Sequence, residues 1–285
     1  KNIPNFSGTP GVTPSTFLNV AEAGAVLDNL GVPMENRTSF FDPNATVALS
    51  DGLRTVFPMK IATKAIEKAL IGTYGGFTLF KSQSLKIHTV GNYGGTPLVN
   101  GASQDTTYLL SKDTQTQTII TDGWDALVTG LLLAGDVLTF AGVNLVNRRT
   151  REDSGALQQF TVTADVNSDA GGNATITLSP PMITSGPYKT VSAAPANDAV
   201  ISVLTGVKNS THRQNLAFHK NAITMASVRL DLPADETRAS RETFKGISIR
   251  VISKYNDTGD FNRMRFDILY GIKTQNPSFA IRTTS

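Results

Sequence analysis

Between Phe17 and Leu30 the apolar residues Phe17, Leu18, Ala21, Ala25, Val26 and Leu30 recur at intervals of three and four, the spacing that lines one side of a helix. Ser15 stands where a cap is expected and Gly31 where the helix would stop. The stretch before it, through Pro14, carries Gly8, Pro10 and Gly11 without any period and is expected to be an extended arm. Phe40-Phe41-Asp42-Pro43 reads as a buried strand end passing into a second helix that reaches about Leu53. Asp42 can accept from first-turn amides, and Pro43 falls at the first helical position, where a missing N–H is no loss. After Pro58, an apolar stripe of Ile61, Ala62, Ala65, Ile66, Ala69 and Leu70 runs opposite Lys60, Lys64, Glu67 and Lys68, predicting a third amphipathic helix ended by Gly72.

From Gly75 the texture changes. Phe77, Leu79, Leu85, Ile87 and Val90 are separated by turn residues, and Gly135 to Val143, Leu157 to Val166, Ala174 to Leu178 and Ala199 to Leu204 are short apolar runs bounded by Gly, Asn, Asp and Pro. Within the second run Phe160, Val162, Ala164 and Val166 alternate with Thr161, Thr163 and Asp165. Several such strands in about 100 residues predict a small sandwich or barrel that folds as a unit. Residues 215–225 are mixed and fit a short helix or a loop and strand. The clearest hairpin follows: Ile247, Ile249 and Val251 alternate with Ser248 and Arg250, residues 256–260 turn, and Met264, Phe266 and Ile268 alternate with Arg265 and Asp267. One face is apolar and the other charged. The predicted class is α+β.

Charge sharpens the division. Residues 1–105 hold 8 Lys and Arg against 7 Asp and Glu, residues 106–207 hold 5 against 9, and residues 208–285 hold 13 against 7. An acidic middle between two flanks of opposite sign predicts a separate unit set between the halves of another domain. The basic end interleaves its arginines with apolar residues at strand spacing, which argues for protein contacts over a phosphate-tracking groove. Only 17% of the 285 residues are charged, so hydroxyls and amides must supply much of the polar surface. No cysteine is present, which removes disulfides, thiolate catalysis and Cys-ligated zinc. No run is long enough for a membrane helix, and a soluble chain without an apolar leader core is expected. The absent initiator Met suggests processing or a fragment.

Chemistry-bearing patterns are incomplete. Asp165-Val-Asn167-Ser-Asp169 begins like a calcium loop, but Ala170 stands where the turning Gly should be and Ile176 where the bidentate Glu should be, so a polar turn is the better reading. His88, His212 and His219 could ligate zinc only with a carboxylate, and their spacing does not call for one. His88 is expected to be a hydrogen-bonded structural residue. Gly72-Thr-Tyr-Gly75-Gly76 follows a helix instead of preceding one and lacks the Lys-Ser/Thr pair of a phosphate loop, so it reads as a helix stop. The acidic pairs Asp235 with Glu236 and Glu152 with Asp153 sit in polar stretches expected to be solvated loops. No nucleophile, base or cofactor pattern appears, so no enzyme activity, metal or cofactor is expected.

Several separated segments together resemble one family. They are Phe40-Phe41-Asp42-Pro43; Ile71-Gly72, Gly76-Phe77, Phe80, Ser82, Leu85, His88-Thr89 and Gly91; Asn215 through Ala222; Gly246 through Arg250; Arg265 through Gly271; and Pro277. In this order they resemble the coat proteins of tailed bacteriophages of the short-tailed Salmonella phage type, over roughly Phe17 to Arg282. The resemblance implies a Hong Kong 97-type capsid fold carrying an inserted immunoglobulin-like, telokin-like all-β barrel. On that reading residues 1–105 and 208–285 form the peripheral and axial core and residues 106–207 the insertion. The family's amino-terminal arm, extended loop and most of its spine helix have no match ahead of Phe17. The resemblance further implies a virion protein, assembled in the host cytoplasm, that self-associates as pentamers and hexamers. Scaffolding and portal proteins would be its partners, and it would enclose double-stranded DNA without sequence-specific binding or membrane contact. The candidate interface residues are Arg148, Arg149, Arg151, Glu152 and Asp153 in the most conspicuous loop of the middle section, and Arg238, Arg241 and Lys245 in the basic end. The competing reading is a carbohydrate-binding or adhesive β-rich module, which leaves the amphipathic helices and the flanking matches unexplained.

Overall fold

The computed structural model describes residues 3–54, 72–234 and 238–284. The helix expected after Pro58, its stripe and Ile71, together with Asp235 and Glu236, lie outside the described residues. In chain order the elements are β1 (Asn5–Ser7), α1 (Phe17–Asn29), β2 (Arg37–Phe41), α2 (Pro43–Arg54), β3 (Thr73–Tyr74), β4 (Phe77–Lys81), β5 (Ile87–Thr89) and β6 (Gly95–Val99). Then come α3 (Tyr108–Ser111), β7 (Gln117–Trp124), β8 (Val137–Phe140), β9 (Asn144–Val146), β10 (Asp153–Leu157), β11 (Phe160–Val162), β12 (Ala174–Ser179) and β13 (Ile201–Val203). The chain closes with β14 (Thr211–His219), β15 (Ile223–Val228), β16 (Ala239–Phe244), β17 (Ile247–Asn256), β18 (Phe261–Thr274) and β19 (Ala280–Thr284). Two compact units result, one of residues 1–222 with 277–285 and one of residues 223–276.

Among the described residues the first unit contains two large sheets and a separate two-stranded one, the β9–β10 hairpin. In the seven-stranded sheet the order is β1-β19-β14-β2-β4-β3, with β5 pairing the outer end of β14. Helix α1 packs here through Val20, Ala23, Gly24 and Leu27, spaced by three, one and three. This corrects the face read from sequence, since Phe17 and Leu18 point to solvent. This face lies against the β3–β4 turn: a Cβ on Gly24 would stand in van der Waals contact, 3.5 Å from the Phe77 ring and 3.6 Å from the Gly75 carbonyl. The N-cap is Thr16, not Ser15. Asn19 Oδ1 accepts both the Ser15 and Thr16 backbone N–H groups, at 3.2 and 3.1 Å. At the other end Val32 N–H reaches Leu27 O and Gly31 N–H reaches Asp28 O, with Gly31 at φ 72°. That pair of bonds is a Schellman motif, and the buried Val32 and Leu27 supply its apolar contact.

Asp42 caps α2 as expected, its Oδ1 accepting from Ala45 N–H at 2.8 Å. Gly75 and Gly76, at φ 56° and 82°, form the two-residue turn that closes β3 on β4. The arm before Pro14 is not wholly irregular, because β1 runs parallel to β19. Asn5 fixes it there by donating from Nδ2 to the carbonyls of Ser278 and Ala280, at 3.0 and 2.8 Å. Residues 215–225 prove to be the end of β14, a turn at Lys220 and Asn221, and the start of β15.

The second sheet has the order β13-β8-β11-β12-β7-β6, antiparallel throughout. Its two ends meet: Leu98 bridges Val200, and Val99 exchanges backbone bonds with Ala199 and Asp198 at 3.0 and 2.9 Å. The sheet is therefore a closed six-stranded barrel with no free edge. Phe140, Phe160, Val162, Ile176, Leu138 and Trp124 fill its core. Trp124 also finds a polar partner, donating from Nε1 to Thr121 Oγ1 at 2.8 Å.

The second unit is a four-stranded antiparallel sheet, β15-β18-β17-β16. Register places Ile249 opposite Ile268 and Val251 opposite Phe266, while Arg250 faces Asp267. The alternation in the sequence is thus the alternation of faces. Among the described residues no helix is long and apolar enough to cross a membrane.

Candidate subunit interface

The loop singled out in the middle section is the tip of the β9–β10 hairpin. Two features build it. Asn147 Oδ1 accepts from Arg149 N–H at 2.9 Å, and Asn147 O accepts from Arg151 N–H at 2.7 Å, with Arg151 held at φ 62°. The strands then lose register, since Asp153 pairs with Val146 but Leu157 with Asn144, a bulge that bends the ribbon. All five residues of β10 are exposed.

The candidate side chains have different surroundings. Arg148 is exposed as a residue, yet its guanidinium end is partly buried and donates from Nη2 to Ser278 Oγ at 2.9 Å, tying the hairpin to the turn that leads into β19. Burial of that end lowers its pKa from the ordinary value. The Arg149 stem lies beside Gly31, its Cγ 3.8 Å from where a Cβ there would stand. Asp153 accepts from Asn144 Nδ2 at 2.9 Å and from Gly155 N–H at 2.8 Å. These two bonds hold its carboxyl below the usual range, Asn144 contributing most. Arg151 and Glu152 are exposed at the tip.

Arg238, Arg241 and Lys245 belong to the other unit. Arg241 donates from Nη1 to Leu230 O at 3.0 Å. Lys245, at φ 49°, shares with Gly246 the turn between β16 and β17, and its Nζ stands 5.4 Å from the Phe244 ring centre. Arg238 is exposed. On this sheet Asp267 lies between two arginines: Arg250 Nη2 donates at 2.6 Å and Arg265 Nε at 2.5 Å. The bond from Arg250 is the main reason the Asp267 carboxyl is held below its usual range.

The opposite face of that sheet carries the feature that sequence reasoning did not weigh. Phe244, Ile249, Phe266, Ile268, Tyr270, Ile272 and Met225 share it by register and are all exposed, Phe244 at 71% and Phe266 at 68%. A contiguous exposed apolar face of this kind is characteristic of an interaction surface. The alternating residues signalled an apolar face, but only the fold shows that nothing in this unit covers it.

The oxygens of the calcium-like stretch are engaged with backbone amides. Asp165 Oδ1 accepts from Ala134, Asn167 Oδ1 from Gly130, and Asp169 Oδ1 from Gly171 and Asn173, at 2.7–2.8 Å. The segment is a loop clasp. His88 is hydrogen-bonded, as expected, but to a residue the sequence did not suggest: its Nε2 lies 2.8 Å from Asp136 Oδ1. His212, directly opposite His88 in the register, has its Nε2 2.8 Å from Ser210 Oγ.

The family described as P22 coat protein, gene protein 5, matches residues 5–282. A relative named major capsid protein, from Acyrthosiphon pisum secondary endosymbiont phage 1, is 27% identical over 282 residues. That alignment covers 95% of this chain and 66% of the relative, so the chain spans just under two thirds of the relative's length. Among solved structures, the CUS-3 coat protein I-domain matches at 29% identity and a TM-score of 0.29, covering 39% of this chain and 97% of the domain.

Proposed function

This chain belongs to the P22 coat protein family, and on that premise we propose that it is a major capsid subunit whose copies build an icosahedral shell. The observation that carries the reading is the family match over residues 5–282. The role is structural: copies associate through ring and inter-ring contacts, as pentamers and hexamers, and the shell encloses double-stranded DNA without reading its sequence. Scaffolding and portal proteins are the partners during assembly in the host cytoplasm, and the virion is the final location.

Within that reading, the closed barrel is the inserted immunoglobulin-like, telokin-like domain of a Hong Kong 97-type subunit; because β6 (Gly95–Val99) is one of its strands, the insertion begins before residue 106, the start expected from sequence, near Gly95, and the capsid core is the chain before β6 together with residues 208–285. Its own hydrophobic core and its edge-free sheet support independent folding. Heterologous contacts in rings require each surface to meet a different one on the neighbour, and complementary charge suits that task. Arg149, Arg151, Glu152 and Asp153 at the hairpin, with Arg148 anchoring it, are the contact group of one surface. Arg238, Arg241 and Lys245 are the contact group of another. The exposed apolar face of the four-stranded sheet supports burial in an assembly.

Electron microscopy with mass photometry of the full-length gene product tests the proposal. Closed shells or ring-shaped capsomers are expected. A species that stays monomeric at tens of micromolar, alone and with a scaffolding protein, overturns it.

A further inference from the structure

Where the barrel meets the seven-stranded sheet, buried donors outnumber acceptors. Asp136, fully buried just before β8, accepts four hydrogen bonds. Oδ1 takes Thr205 Oγ1 at 3.1 Å and His88 Nε2 at 2.8 Å, while Oδ2 takes the N–H groups of Leu133 at 2.8 Å and Gly91 at 3.1 Å. A carboxylate offers about four such positions, so this one is full.

Arg282 of β19, 5% exposed, enters the same region. Cross-strand pairing puts Arg282 opposite Leu216, Thr284 opposite Gln214, and His212 opposite His88. Directly paired residues share a face, so Arg282, Thr284, Gln214, His212 and His88 project from the same side of the sheet. The guanidinium starts opposite Leu216 and ends beside His88. Arg282 Nη1 and His88 Nδ1 lie 3.7 and 3.3 Å from where a Cβ on Gly135 would stand, and this close approach is open because Gly135 has none. The arginine therefore passes over Gln214. Among the described residues its Nε and Nη2 have no hydrogen-bond partner, and neither do the enclosed Gln214 Nε2 and Oε1 or Thr284 Oγ1.

We propose that this enclosure binds a small inorganic anion, with the Nε and Nη2 groups of Arg282 as its charged donors and Gln214 Nε2 and Thr284 Oγ1 completing the shell. A buried guanidinium stays charged at neutral pH, and two of its N–H groups left without an acceptor would be costly. Burial lowers the Arg282 pKa to about 10, the Asp136 charge opposing that only in part. Chloride and phosphate offer the same acceptor chemistry to this donor set.

Thermal unfolding in chloride and, separately, in phosphate tests the site, with ionic strength held constant by gluconate, a much bulkier anion. The unfolding constant is expected to fall about tenfold for each tenfold rise in the bound anion above its Kd. The salt that produces this identifies the anion. Arg282→Met should abolish the dependence and Gln214→Leu should weaken it, the second variant serving if the first fails to fold. A bromide anomalous peak within hydrogen-bonding distance of Arg282 Nε or Nη2 in soaked crystals is the direct counterpart. Equal stability in all salts with no bromide peak would leave water as the occupant and overturn the proposal. So would an anion effect that persists undiminished in both variants.

Discussion

His219 shows how a single side chain links burial to pH. It is 3% exposed, its ring edge meets Phe279, and its Nδ1 accepts from Asn221 N–H at 3.2 Å. That bond requires an unprotonated Nδ1. Burial first, then the positive charges of Lys220 and Arg37, holds its pKa below the ordinary 6.5. His212 is shifted in the same direction, by burial and then by His88. Because the folded pKa lies below the unfolded one, the unfolded chain takes up the proton first as pH falls. The stability these groups confer is therefore present above about pH 6.5 and is lost as pH drops through their folded pKa values. Urea midpoints measured from pH 8 to pH 5 should decline, and His219→Gln, whose amide can still accept, should flatten the decline. An unchanged slope would show that His219 does not carry it. Little of this was legible in the sequence. Asn221 reaches His219 through the local turn, but Arg37 and Phe279 converge on it only through pairing of β14 with β2 and the return of the chain end. The same holds for Asp136, whose partners His88 and Thr205 lie 48 and 69 residues away.

At the scale of elements, what local chemistry governs could be read in advance and what tertiary contact governs could not. Asp42-Pro43 foretold the start of α2, because a cap involves only its own first turn. Gly31 foretold the end of α1 for the same reason. Its φ of 72° is the left-handed conformation that costs an L-residue about 1–2 kcal/mol, so Gly31→Ala should destabilise the chain by about 1 kcal/mol. Chemical denaturation measures this, and a neutral result would mean the Schellman turn relaxes without strain. The buried face of α1 was misread because bulk suggested Phe17 and Leu18, whereas the face that packs is Val20, Ala23, Gly24 and Leu27, with Gly24 against Phe77. In the terminal hairpin, alternation did give the faces, and even the cross-strand pair Arg250 and Asp267 falls on the charged one.

For the molecule as a whole, segment charges of +1, −4 and +6 suit a pairing of the acidic middle of one copy with the basic end of another, and the structure narrows the residues fit to test it. Glu152 is exposed at the β9–β10 tip and Lys245 is exposed at the β16–β17 turn, whereas Arg148 is already held by Ser278. Glu152→Lys and Lys245→Glu should each lower the yield of assembled particles severalfold, and the double reversal should restore it, with light scattering as the measure. Two silent single reversals would remove the pairing. The β-rich middle was legible from its short strands and turns; its closure was not, since that depends on residues near 98 meeting residues near 200. Closure also fixes how the chain enters and leaves. β6 and β13 are neighbours, and the segments leading to them run side by side as β5 and the start of β14. Entry and exit are thus about one strand spacing apart, roughly 5 Å. The barrel is held like a cassette on a two-strand stem, and a guest fold whose own termini are adjacent antiparallel strands would meet the same geometric condition for exchange.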